Sequence, residues 1–166
     1  MKEIFERRSI RKYTNQPVSD DDIEKILRAA MAAPSAGNQQ PWEFIIIKDK
    51  KLLNDITKVH PYSQMLKEAS VAIVVCADPD RERHSGFWVQ DCAAATENML
   101  LEAQHLGIGS VWLGVYPRET RVKGIKELLN IPERIIPFSI VSLGYPAETK
   151  GPSDRYDNSR IHINKW

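Results

Sequence analysis

The segment Arg7-Arg-Ser-Ile-Arg11 sets a guanidinium, a hydroxyl and a second guanidinium at positions 7, 9 and 11. In an extended chain alternate side chains point the same way. Arg7, Ser9 and Arg11 would then form a phosphate clamp, because the guanidinium fork matches phosphate oxygens bidentately and the hydroxyl adds a donor. In a terminal helix the same residues would be a solvated basic stretch. A second segment, Pro34-Ser-Ala-Gly-Asn-Gln-Gln-Pro-Trp42, gathers amides and hydroxyls between two prolines that stiffen it. Such groups can pair with the donor and acceptor edge of a planar heterocycle, or they can simply cap a turn. The third, Gly107-Ile-Gly-Ser-Val-Trp-Leu-Gly114, fails as a dinucleotide fingerprint, since that turn follows a strand and opens a helix. Gly114 suits a close backbone approach to a ligand, or a bulge.

Other chemistries find little support. His60, His84, His105 and His162 are scattered, neither Cys76 nor Cys92 lies in a CxxC, and no metal site is expected. Both cysteines read as core residues. GxSxG and GxxxxGK[ST] do not occur, so neither hydrolase nor P-loop chemistry is indicated. A cofactor must then carry the difficult step, and no catalytic side chain is assigned.

These segments need elements to position them. Ser19 can cap a helix whose apolar residues Ile23, Ile26, Leu27 and Ala30 share a face, and Pro34 lies just beyond its end. Glu43 to Lys48 reads as a strand, Lys50 to Val59 as a helix and Val71 to Ala77 as a second strand. Phe87 to Leu106, free of Pro and Gly until Gly107, is the longest helix, and small residues at Cys92-Ala-Ala-Ala95 admit another backbone closely. A strand at Ser110 to Leu113, a helix near Glu119 to Asn130 and a strand at Phe138 to Leu143 complete a mixed α/β layer on about four core strands. The tail from Ala147 keeps Tyr156, Ile161, Ile163 and Trp166, more apolar surface than a solvated tail retains. It wraps a second subunit or packs on its own domain.

With 166 residues, one domain is expected, and 23 Lys+Arg against 22 Asp+Glu leave no broad electrostatic footprint for nucleic acid or an anionic membrane. Apolar runs fall far short of the roughly 20 residues of a membrane span. The amino-terminal residues lack the apolar run of a signal peptide, and with only two cysteines the chain is expected in the reducing cytoplasm.

Taken in order, Arg7-Arg-Ser-Ile-Arg-Lys-Tyr13, Pro34 to Trp42 and Gly107 to Gly114 resemble the nitroreductase family of flavin enzymes. The likeness continues through Gln90 to Leu101, Leu143-Gly-Tyr-Pro-Ala-Glu148 and Arg155-Tyr-Asp-Asn-Ser-Arg-Ile-His162, and the length matches the family's short branch. The resemblance implies an α+β, three-layer fold, with a mixed sheet of four to five strands flanked by helices, in an intertwined homodimer. Residues 1–166 would be one domain, with 147–166 extending over the partner. It further implies an FMN cofactor with NADH or NADPH as co-substrate, and reduction of nitroaromatics, quinones or similar acceptors by a ping-pong mechanism. Arg7, Ser9 and Arg11 would hold the FMN phosphate and ribityl end, with Arg8 near through its backbone and Arg155 adding charge. Pro34, Ser35, Ala36 and Asn38 would contact the flavin from the partner subunit, and Leu113 and Gly114 would line the ring. Gln64 is the candidate contact after the third helix, and Lys150 a further phosphate neighbour. Arg7 and the Pro34 loop amides would supply the field that stabilises the reduced ring. Two other readings stand beside this one: a flavin-binding storage or sensing module with little turnover, and a non-flavin dimeric interaction protein.

Overall fold

The computed structural model describes residues 2–166. Five α-helices and four strands follow one another as α1 (Glu3–Glu6), α2 (Asp20–Met31), β1 (Trp42–Ile47), α3 (Lys50–Val59), β2 (Val71–Ala77), α4 (Trp88–His105), β3 (Gly109–Gly114), α5 (Glu119–Leu129) and β4 (Ile136–Gly144). Local chemistry sets the boundaries. Ser19 Oγ accepts the Asp22 N–H at 3.1 Å to start α2, and Asp49 accepts that of Leu52 at 2.8 Å to start α3. At the end of α4 the chain turns left-handed at Gly107 (φ 72°), and the Ile108 N–H reaches back to the Ala103 carbonyl at 2.8 Å.

The sheet order is β1-β2-β4-β3. The mixed sheet expected from the sequence has four strands whose three ladders are all antiparallel. Parallel pairing is confined to an isolated bridge between Ser9 and Ser110. The difference arises because β2 and β4, though far apart in sequence, pair as antiparallel neighbours in the centre of the sheet.

Both faces of the sheet are covered. Alternate residues of β2 divide between two cores: Val71, Ile73 and Val75 pack toward α2 and α4, and Ala72, Val74 and Cys76 pack with Leu53, Ile56 and Ile125 of α3 and α5. This double burial explains why β2 reads as one unbroken apolar run. A register shift between Val75 and Cys76 leaves Phe138 unpaired in that ladder, so Phe138 and Val141 reach the same core despite their spacing. The three layers match the architecture expected.

The amino-terminal segment is bound to the far edge of the sheet. The Ile10 N–H donates to Ser110 O at 2.9 Å and the Thr14 N–H to Tyr145 O at 2.8 Å. Two glycines make the approach possible. A Cβ at Gly109 would stand 2.8 Å from Ile10 Cγ2, and one at Gly144 2.8 Å from the Tyr13 ring.

Candidate functional site

Because residues 9 and 10 pair with β3, the chain leaves α1 at Arg7 (φ −57°, ψ 129°) and runs extended. The helical alternative for the basic segment is thereby replaced. Arg7, Arg8, Ser9 and Arg11 line a basin of about 210 Å³ together with Lys150 and Arg155 from the carboxy-terminal tail. Five cations converge, whereas only two carboxylates among the described residues approach any of their charged groups: Glu97, 3.5 Å from Arg7 Nε, and Glu148, 3.0 Å from Lys150 Nζ. Arg7 Nε is buried and makes no hydrogen bond. A buried donor in that state awaits an acceptor.

The tail reaches the basin through specific contacts. Lys150 Nζ donates to Ser9 O at 2.7 Å, Arg8 Nη1 donates to Gly151 O, and the Arg11 N–H donates to Glu148 Oε1 at 2.6 Å. That backbone bond, reinforced by Lys150, holds the Glu148 carboxyl below its ordinary range. Glu148 is thus tied to backbone and lysine, and among the described residues no carboxylate pairs with Arg11 or Arg155.

Arg11 also lines a second, larger pocket of about 460 Å³, with His60, Tyr62, Gln64, Leu113, Gly114 and Arg121 among its walls. Gly114 ends the edge strand β3. Since the Val115 N–H bonds to Phe138 O at 3.1 Å, the alternation of an antiparallel ladder turns the Gly114 carbonyl away from β4 and toward the open edge. Two donors meet it there: His60 Nε2 at 2.9 Å and Arg121 Nη1 at 2.8 Å. His60 Nδ1 accepts the Tyr62 N–H at 3.3 Å, which assigns the proton to Nε2. His60 is 1% exposed, and burial lowers its pKa from 6.5, so the ring is neutral at pH 7. A Cβ on Gly114 would meet nothing within 4 Å, and its φ is not positive. Neither strain nor crowding demands glycine, so its bare face opens onto the pocket.

The sequence pointed to Gln64, Leu113 and Gly114, but missed His60 and Arg121. Nothing in spacing marks them. They are joined only where the end of α3, the end of β3 and the first turn of α5 meet.

Pro34, Ser35, Ala36 and Asn38 line neither pocket. Their loop is held at the start of α4 instead, where buried Asp91 accepts the Ala36 N–H at 2.9 Å and the Gln39 Nε2–H at 2.6 Å. Gln39 Oε1 in turn accepts the Arg83 and His84 N–H groups at 2.9 and 3.1 Å. The anchored loop keeps Gly37, Asn38 and Gln40 left-handed, at φ 52°, 56° and 47°, which is costly for residues with a Cβ.

A model of the Nitroreductase family matches residues 4–60 and 55–145. The chain belongs to the nitroreductase family. It is 57% identical over 170 aligned residues to a protein of Archaeoglobus fulgidus provisionally named NADH dehydrogenase/NAD(P)H nitroreductase, covering all of this chain and 98% of that one. Among solved structures, a provisionally named NADH oxidase of Clostridium acetobutylicum is 49% identical, with a TM-score of 0.96 and 99% of each chain covered. A provisionally named nitroreductase of Desulfovibrio desulfuricans, crystallised in complex with FMN, is 30% identical with a TM-score of 0.86, covering 99% of this nitroreductase chain and 96% of its own.

Proposed function

We propose that this nitroreductase-family chain is an FMN-dependent oxidoreductase that takes hydride from NADH or NADPH and reduces nitroaromatics, quinones or similar conjugated acceptors by a ping-pong mechanism. The observation that carries the reading is a pair of basins that share Arg11 in their linings, one cationic and one walled in part by Gly114 and by the rings of His60, Tyr62 and Trp112. The donor set suits FMN. Arg7, whose buried Nε makes no hydrogen bond, would meet a phosphate dianion with Arg11 and Arg155, while Arg8, Ser9 and Lys150 close the basin. Gln64, Leu113 and Gly114 would flank the ring, and the unshielded face of Gly114 accommodates a flat group against the backbone.

Bound FMN would supply a ring able to take up a hydride and give an electron pair onward. The protein's share is positional. His60, neutral and buried, and Arg121 together fix the Gly114 carbonyl, so the wall beside the ring cannot swing. Tyr62, at the pocket wall, is 70% exposed in the single chain.

The same reading makes the active form a homodimer. The Pro34 loop, with Pro34, Ser35, Ala36 and Asn38, lies away from its own chain's pockets and would complete those of the partner. Tyr156, Ile161, Ile163 and Trp166 stand exposed, as do Ile4 and Phe5 of α1, which fits a tail laid over a second subunit. No helix among the described residues is long and apolar enough to cross a membrane.

Anaerobic stopped-flow reduction of the purified holoprotein with NADH and with NADPH, then reoxidation by a panel of acceptors, tests the activity. Rapid bleaching and ping-pong kinetics are expected. A yellow protein whose colour survives both nicotinamides would indicate storage, and colourless material that cannot be reconstituted with FMN would remove the flavin reading. A monomeric mass at micromolar concentration would remove the shared site.

A further inference from the structure

Among the described residues no carboxylate pairs with Arg121 in the ring pocket. Arg121 belongs to the first turn of α5, is half-buried, donates Nη1–H to Gly114 O at 2.8 Å and lies 5.3 Å from the centroid of the Tyr62 ring. Its guanidinium makes no other side-chain hydrogen bond among the described residues, so most of its five donors are unused. The pocket lining holds two guanidiniums, Arg11 and Arg121, and no carboxylate. His60, packed beside Arg121 on the same carbonyl, is kept neutral by burial and adds no charge. Arg7, by contrast, lines only the smaller basin and stands 3.5 Å from Glu97. Its field is spent mainly at the phosphate end.

We infer that Arg121 contributes electrostatic stabilisation of reduced FMN, its guanidinium held at the pocket wall by the Gly114 carbonyl and the Tyr62 ring. The inference rests on the flavin reading above. Hydride transfer carries two electrons and one proton from NADH or NADPH, which departs as NAD(P)⁺, and gives the ring one negative charge more than its oxidised form. A positive charge already fixed beside the ring meets that added charge without reorganisation, and it counts for more in a partly desolvated pocket than in water. Cation–π contact with Tyr62 and the carbonyl bond limit the rotamers of Arg121, so the charge stays in place.

The test is the two-electron midpoint potential of the FMN-loaded protein in wild type, Arg121→Gln, Arg121→Lys and Gln64→Glu. Arg121→Gln should shift the reduced-to-oxidised equilibrium about tenfold toward the oxidised form, a potential about 30 mV more negative. Arg121→Lys, which keeps the charge, should stay near wild type. Gln64→Glu is near-isosteric and adds a carboxylate to the same pocket, so it should move the potential in the same direction as Arg121→Gln even if that variant folds poorly. The ratio of dissociation constants for reduced and oxidised FMN, measured by titration, should change by the same factor. Unchanged potentials in Arg121→Gln and Gln64→Glu overturn this inference alone, as does a drop in Arg121→Lys equal to that of the glutamine variant. A chain that takes up no FMN overturns the flavin reading and this one together.

Discussion

Replacing Asp91 by asparagine probes how a buried carboxylate holds a strained loop. Asp91 is 4% exposed, and its two oxygens accept the Ala36 N–H at 2.9 Å and the Gln39 Nε2–H at 2.6 Å. An amide has one accepting oxygen, so in Asp91→Asn its nitrogen must face one of these donors. A charge-assisted hydrogen bond is worth about 1.5–3 kcal/mol, and a donor left unsatisfied in a buried place costs about 1–3 kcal/mol. Loss of about 2–3 kcal/mol is therefore expected. The loop itself keeps Asn38 and Gln40 left-handed, at roughly 1–2 kcal/mol each, so losing one anchor brings its conformation near balance with open forms. Urea unfolding should report the lower stability. Native-state exchange of the Ala36 amide should accelerate about 30-fold or more, since 1.4 kcal/mol is a factor of ten. In the shared site proposed above, FMN affinity should fall as well, although Asp91 lines neither basin of its own chain. Unchanged urea stability together with unchanged Ala36 protection would refute the anchoring argument. Lost stability with full FMN affinity would instead detach the loop from the flavin site.

Three further outcomes follow from the geometry. Arg11→Ala should raise the dissociation constant for FMN about 10- to 100-fold in a fluorescence titration, with Arg11→Lys intermediate, because one charge-assisted phosphate contact is lost; equal affinities would remove Arg11 from the site. His60 resists protonation in the fold, where burial lowers its pKa, while the unfolded chain takes up a proton near pH 6.5. The neutral fold is therefore fully favoured above about pH 6.5 and loses stability as pH falls below it. Denaturation at pH 7 and pH 5 should show a smaller difference in His60→Asn than in wild type. Burial pushes the Cys76 thiol up to about 12 and raises that of Cys92, so iodoacetamide at pH 8 should leave the native protein unlabelled and modify both residues after unfolding; labelling of the native chain would contradict the packed core.

Much of the fold lies in short-range pattern. The cap at Ser19, the helix stop at Gly107 and the apolar run of β2 are properties of neighbouring residues, and each appears in the structure where the sequence placed it. The alternation of Arg7, Ser9 and Arg11 likewise pointed to a clamp, but only if the segment were extended. That condition was settled by the bridge to Ser110, a hundred residues away.

Sequence by itself determined which residue types were available for anion and ring contacts and which stretches would be helix or strand, because propensity, capping and periodicity act within a few residues. Tertiary structure alone decided the antiparallel order, brought Lys150 and Arg155 to the clamp, and set His60 and Arg121 on the Gly114 carbonyl. It also carried the Pro34 loop away from its own chain's pocket. Those arrangements depend on chain closure across distances that no local pattern encodes, and packing on the two faces of the sheet fixes them.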